Sequence, residues 1–172
     1  SRSNAKVVVL DDDPTGVQTV HGVPVYTNWE EQTLQEAFAA QDRMFFILTN
    51  SRGMTAEVTE REHEKMAHAI HAAAQASGRP YILISRSDST LRGHYPLETQ
   101  TLRRTLEGLG EKPFDGEVIY PFFMEGGRYT LNNVHYVQEG GSLIPAGLTE
   151  FAKDKSFGYS ASSLPEWCAE KS

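Results

Sequence analysis

The sequence holds a single cysteine, Cys168, among 172 residues. No disulfide can form within the chain, which suits a reducing compartment, and a cytoplasmic location is expected. Long apolar runs are missing too. Runs such as Val7-Val8-Val9-Leu10 and Met44-Phe45-Phe46-Ile47-Leu48 fall far short of the ~20 residues that a membrane-spanning helix needs. No secretory signal opens the chain. Basic charge is scarce, with Lys+Arg at 16 against Asp+Glu at 23 and a net charge of -7 at pH 7. Nucleic acid and anionic membranes both select for clustered Lys and Arg, so neither is an expected partner. The 14 glycines follow no period of three, which excludes a collagen-like chain. Neither GxxxxGKS/T nor GxGxxG occurs, so no nucleotide phosphate loop is present.

What remains is the composition of an ordinary globular chain, 39% hydrophobic and 23% charged. At this length roughly 70% of the unfolded surface can be buried, without a disulfide or metal staple. Residues 1–5, with Ser3-Asn4-Ala5, resemble a remnant of tag removal and are set aside. One domain over residues 6–172 is the expectation.

Short β-branched and aromatic runs alternate with helical patterns. Val7–Leu10, Val23–Tyr26, Met44–Leu48, Tyr81–Ile84 and Glu117–Tyr120 read as strands. Trp29–Gln41 (with Asn28 as its N-cap), Thr55–Ala76 and Leu97–Leu109 read as helices. Val134–Val137 and Ser142–Ile144 read as a small hairpin around Gly140-Gly141. The alternation predicts an α/β fold, a three-layer, mostly parallel Rossmann-like sheet with helices on both faces and a β-hairpin near the C-terminal end.

In such sheets, ligands bind beyond the carboxyl ends of the strands. Three strands here end in polar loops: Asp11, Asp12, Asp13 and Thr15; Asn50, Ser51 and Arg52; and Arg86, Ser87, Asp88, Ser89, Thr90 and Arg92. Turn chemistry alone accounts for Asp, Ser and Thr after one strand. Three successive loops, two of them bearing arginine, point instead to a ligand. Arginine pairs bidentately with carboxylate or phosphate. Aspartate accepts from sugar hydroxyls or acts as a base, and Gly16 and Gly93 admit close backbone approach. The expected ligand is a small, hydroxylated anion.

No metal site is expected. His63-Glu64 begins like a zinc-protease HExxH, but position 67 is Ala67, and His68 lies about 140° around the helix from His63. His68 and His71 read as a solvated helix face. Ser89 lacks a GxSxG context, and Cys168 lacks a paired histidine.

Asp11-Asp12-Asp13-Pro14-Thr15-Gly16 resembles the ADDxTG signature of the four-carbon acid sugar kinase family, a group long carried as a domain of unknown function and sometimes as type III effectors. Ser85–Gly93 is similar to its KxDSTLRG motif, and Thr49-Asn50-Ser51-Arg52 to its DTDSR stretch. Pro121–Thr130 resembles PAFPxxGRxT, with Arg128 at the arginine. His135-Tyr136-Val137 and Thr149-Glu150-Phe151-Ala152 resemble its HYV and TEFA landmarks. The departures are Asp11 for the first Ala, Pro14, Asn50 for Asp and Arg86 for Lys.

The resemblance implies a sugar-acid-binding N-terminal domain. Its catalytic partner would be a C-terminal nucleotide-binding domain, absent here, that brings ATP and Mg²⁺. The reaction implied is phosphorylation of threonate, erythronate or a 3-oxo-tetronate. Arg86 and Arg92, assisted by Arg52, would grip the carboxylate. Asp12 and Asp88 would address hydroxyls, one of them as catalytic base, while Asp11, Asp13, Ser87, Ser89 and Arg128 would line the site. A homo-oligomer, or a partner chain with the nucleotide domain, is compatible with this. So is a non-catalytic sensor of a small hydroxy acid. The chain by itself is expected to be inactive and to be a truncated half.

Overall fold

The computed structural model describes residues 4–14 and 21–172. Thr15 and Gly16 of the first loop lie outside the described residues. The chain divides into two compact units: Ser1–Arg86 with Leu97–Phe114, and Ser87–Pro96 with Asp115–Ser172.

The first unit is built on a parallel sheet in the order β2-β3-β1-β4. Its strands are β1 (Lys6–Asp11), β2 (Val25–Tyr26), β3 (Met44–Leu48) and β4 (Tyr81–Arg86). The helices are α1 (Glu31–Ala39), α2 (Ala56–Ser77) and α3 (Leu97–Gly108). Side chains alternate across a strand. Val8 and Leu10 of β1 and Phe45 and Ile47 of β3 therefore join one core with Leu34 and Phe38 of α1, Met66 and Ile70 of α2, and Leu102 and Leu106 of α3. These are near-continuous apolar strands, as buried parallel sheets require. Lys6, fully buried, is tolerated because its ammonium donates to the carbonyls of Ala40 (2.9 Å) and Asp42.

Helix boundaries follow local chemistry. Thr55 caps α2 by accepting from the Val58 amide, and Gly78 ends the helix at φ 65. Asn28 does not cap α1 directly. It sits two residues before Glu30 and accepts from the Glu30 amide at 3.1 Å and the Thr33 hydroxyl at 2.7 Å. His71 is not part of a solvated face, because its Nδ1 lies 3.1 Å from the Glu111 carboxylate.

The second unit contains an antiparallel sheet in the order β5-β6-β7. These strands are β5 (Arg128–Leu131), β6 (Val134–Glu139) and β7 (Ser142–Pro145), followed by α4 (Leu164–Lys171). The predicted hairpin is β6–β7, turning at Gly140 and Gly141, both with positive φ. β5 joins through Asn132-Asn133, two adjacent residues with positive φ of the kind an Asn-rich turn favours. Leu91, Val137, Ala146, Ala152, Tyr159 and Trp167 form this unit's own core.

The predicted strand Glu117–Tyr120 is not formed. A strand exists only when a neighbour accepts its backbone hydrogen bonds, and this segment has no strand partner among the described residues. Val118 is 91% exposed.

Candidate functional site

The central position of β1 determines the chemistry of the first unit. Asp11 is paired in register with Arg86 of β4 on one side and Leu48 of β3 on the other. The register puts the Arg86 guanidinium beside the Asp11 carboxylate, Nη1 to Oδ2 at 2.8 Å. Asp12 follows, 2% exposed, and accepts two hydrogen bonds from Arg52: Nη2 to Oδ1 at 2.8 Å and Nε to Oδ2 at 3.2 Å. Arg52 Nη1 also lies 3.6 Å from Asp13 Oδ2. Ion pairs thus join the end of β1 to the end of β4, and the loop after β1 to the loop after β3.

Asn50, at φ 56, turns the loop after β3 so that Arg52 returns toward β1. Asparagine takes this left-handed conformation at less cost than most residues, which gives Asn50 a structural role. Thr49 donates from its amide to the Asp11 carbonyl at 2.8 Å and its hydroxyl lies 3.1 Å from the same oxygen. Ser51 donates to Glu98 of α3 at 2.6 Å, and Ser85 of β4 reaches Glu98 at 3.4 Å. Glu98 is 4% exposed, so a buried carboxylate ties the loop after β3 and the end of β4 to α3. In sequence it is one acid in a helical first turn, a position acids favour anyway, and nothing singles it out.

Burial pushes the Asp12 carboxyl up to about 7, against the opposing pull of Arg52; the charges of Glu98 and Asp11 push the same way. Burial also raises Asp11, partly offset by Arg86. Carboxyls held toward their protonated form and already engaged by guanidinium groups are poor Mg²⁺ ligands. Asp11 and Asp12 are therefore given no Mg²⁺ role, and the Mg²⁺ that the resemblance implies belongs with the nucleotide-binding domain. No nucleotide or Mg²⁺ step is assigned to them.

The second unit gathers the remaining candidates. Asp88 accepts from the Thr90 amide at 2.6 Å and from the Thr90 hydroxyl, closing a turn two residues long. It also accepts from Arg92 Nη2. Between them Leu91 stands at φ 66, a left-handed conformation costly for a branched side chain, and is held there by burial in the core. Arg92 follows, with Asp154 3.6 Å from its Nη1. Gly93, at φ 134, continues the turn. Ser87 is exposed, and Ser89 contributes through its backbone.

The Ser89 carbonyl faces Nε2 of buried His135, while Thr130 lies 2.9 Å from its Nδ1. A carbonyl only accepts, so Nε2 carries the proton. Burial lowers the imidazole pKa and keeps the ring neutral. Tyr159 donates to the Thr90 carbonyl at 2.6 Å, and burial raises its phenol to about 12.

Arg128 opens β5. Its guanidinium lies over the Phe151 ring at 4.8 Å, and that of Arg92 lies over the same ring at 5.1 Å. Arg128 donates to the Gly126 carbonyl, and its Nε is buried without a hydrogen-bond partner, as is that of Arg92. Among the described residues no carboxylate forms an ion pair with Arg128, whereas Arg86 pairs with one and Arg52 and Arg92 with two each. Two cations sharing one aromatic ring gain cation–π attraction but repel each other, and an anion between them would relieve that repulsion. Sequence reasoning placed Phe151 only within a landmark and assigned no role to Asp154, His135 or Tyr159. A platform residue has no local signature, because only the fold brings it beneath its cations.

Asp11, Asp12, Asp13, Arg52 and Arg86 come together in the first unit. Asp88, Ser89, Arg92 and Arg128 come together in the second.

No curated protein matches the sequence. A solved structure of a domain of unknown function (DUF1537) from Bordetella bronchiseptica, described as a domain-swapped dimer with bound citrate, is similar to this chain. Sequence identity is 25%, the TM-score is 0.67, and the match covers 95% of this chain. The chain spans 39% of that protein's length. DUF1537 is the four-carbon acid sugar kinase family. A family model described as "Sugar-binding N-terminal domain" matches residues 7–172, so the chain belongs to the family of sugar-binding N-terminal domains.

Proposed function

We propose that this chain is the substrate-binding half of an ATP-dependent kinase for a four-carbon sugar acid of the threonate, erythronate or 3-oxo-tetronate type. The observation that carries the reading is the Arg128–Phe151–Arg92 arrangement. It offers one guanidinium without a carboxylate partner beside another already oriented by Asp88 and Asp154. The family's sugar-binding description and the neighbour's bound citrate, a carboxylic acid, support it.

On this reading Arg128 takes the leading part in holding the carboxylate, with Arg92 beside it. Asp88 accepts from Thr90 and Arg92 and so orients the Arg92 guanidinium. Asp12 is the better candidate for proton transfer. A carboxyl titrating near neutrality suits taking a proton from an attacking hydroxyl. Arg52 and Arg86 keep the Asp12 and Asp11 carboxyls in place. ATP and Mg²⁺ would be supplied by a nucleotide-binding domain outside this sequence. Phosphoryl transfer asks mainly for positioning and charge neutralisation, and the residues here would serve positioning. The neighbour's dimeric state supports self-association of this chain.

Calorimetry with threonate, its neutral polyol and citrate tests the reading. A charge-assisted contact of roughly 1.5–3 kcal/mol predicts at least about tenfold tighter binding of the acids than of the polyol. Equal affinities would remove the carboxylate grip. Acid binding without turnover, when the chain is joined to a nucleotide-binding domain, would leave a sensor instead of a kinase.

A further inference from the structure

The first unit's sheet stops abruptly. β4 is its last strand, and no strand occupies its outer edge among the described residues. Edge strands ordinarily carry lysine, proline or a bulge that discourages pairing. Tyr81-Ile82-Leu83-Ile84 carries none of these, and Ile82 and Ile84 are 55% and 42% exposed. Elsewhere in the chain a strand-like segment lacks a sheet. Glu117-Val118-Ile119-Tyr120 has the β-branched and aromatic composition of a strand, bounded by Gly116 and Pro121, yet it forms none. Val118 and Tyr120 are 91% and 75% exposed.

We propose that the open edge of β4 is completed by residues 117–120 of a second copy of this chain, and reciprocally. This deepens the self-association suggested under Proposed function by naming the segment and the edge that receives it. The pattern matches at period two: Val118 and Tyr120 would share one sheet face with Ile82 and Ile84, and Ile119 the other with Leu83. Four exposed apolar side chains per edge would leave water, and backbone hydrogen bonds would form on both chains. The connection after α3, Leu109-Gly110-Glu111-Lys112-Pro113-Phe114-Asp115-Gly116, carries two glycines and a proline and lies outside any helix or strand. Such a connector can extend toward a neighbour instead of folding back. The closest rival occupant is the chain's own segment, returning by a right-handed crossover through α3. Among the described residues this segment belongs to neither sheet.

Light scattering coupled to size-exclusion chromatography should show the ligand-free chain as a dimer. The double variant Val118→Lys/Tyr120→Lys should be monomeric with an unchanged far-ultraviolet spectrum, since both side chains are exposed. In a Cys168→Ser background, oxidising a mixture of the Ile84→Cys and Val118→Cys chains should give a disulfide-linked dimer. A monomeric parent chain, or a dimer indifferent to the two lysines, would overturn the proposal. So would an intrachain disulfide in the Ile84→Cys/Val118→Cys double variant, which would assign the edge to the chain's own segment. These readouts need no ligand, so their failure leaves the carboxylate reading untouched, and a failed acid titration leaves the dimer untouched.

Discussion

Arg52 grips Asp12 along both carboxylate oxygens, at 2.8 and 3.2 Å, while its own backbone amide donates to the Asp12 carbonyl at 3.3 Å. The Asp12 side chain is nearly inaccessible, yet that of Arg52 is 23% exposed. The pair therefore combines a desolvated acid with a partly solvated cation. That asymmetry explains why burial outweighs the ion pair and lifts Asp12 to about 7. Removing the cation by Arg52→Ala should cost about 1–3 kcal/mol, since Asp12 can accept a proton instead of remaining an unpaired buried charge. Chemical denaturation at pH 8 against pH 5 should show the larger loss at pH 8.

The raised Asp12 pKa also makes stability depend on pH. The folded chain holds this proton up to about pH 7, whereas the unfolded chain releases it near 3.8. The folded state binds more protons between those values, so this contribution falls as pH rises through that window and is constant above it. The slope is at most about 1.4 kcal/mol per pH unit. Asp12→Asn should flatten it, as read from denaturation midpoints across that range.

Glu98 should act on Asp12 at a distance. Its negative charge is one of the causes raising the Asp12 pKa. Glu98→Gln removes the charge but retains an acceptor for Ser51. Carboxyl-carbon NMR titration should then show the Asp12 midpoint falling. An unchanged midpoint in a folded variant would confine Glu98 to tethering loops.

Arg128→Ala should weaken citrate and threonate binding by at least about tenfold, with little change in melting temperature. Arg128→Lys keeps the charge and loses the planar fork, and should recover only part of the affinity. Calorimetry on both variants checks this. Loss of stability without loss of affinity would make Arg128 a packing residue for Phe151.

Gly147 offers a test of the second unit's fold. A Cβ at this position would lie 2.1 Å from the Ser160 carbonyl oxygen, which is backbone and cannot swing aside. Gly147→Ala should destabilise by about 1–3 kcal/mol, measured by thermal unfolding. The same change at Gly53, where a Cβ would meet open space, should cost far less.

The amino-acid sequence by itself determined β1, β3, β4 and the helices α1, α2 and α3 to within a few residues. Their signals are local: apolar runs of strand length, Thr55 as a cap and Gly78 as a stop. It also determined which loops carry acids and arginines, because each sits directly after its strand. Only tertiary structure decided what those groups do. Arg52 and Arg86 read as free cations for a ligand, but strand register delivers Arg86 to Asp11 and the turn after β3 delivers Arg52 to Asp12. Arg128 read as one residue of a motif, and Phe151 brings it beside Arg92. Glu117–Tyr120 has a strand's composition without a strand's partner. Pairing, burial and charge neutralisation all depend on residues distant in sequence, so no local pattern encodes them.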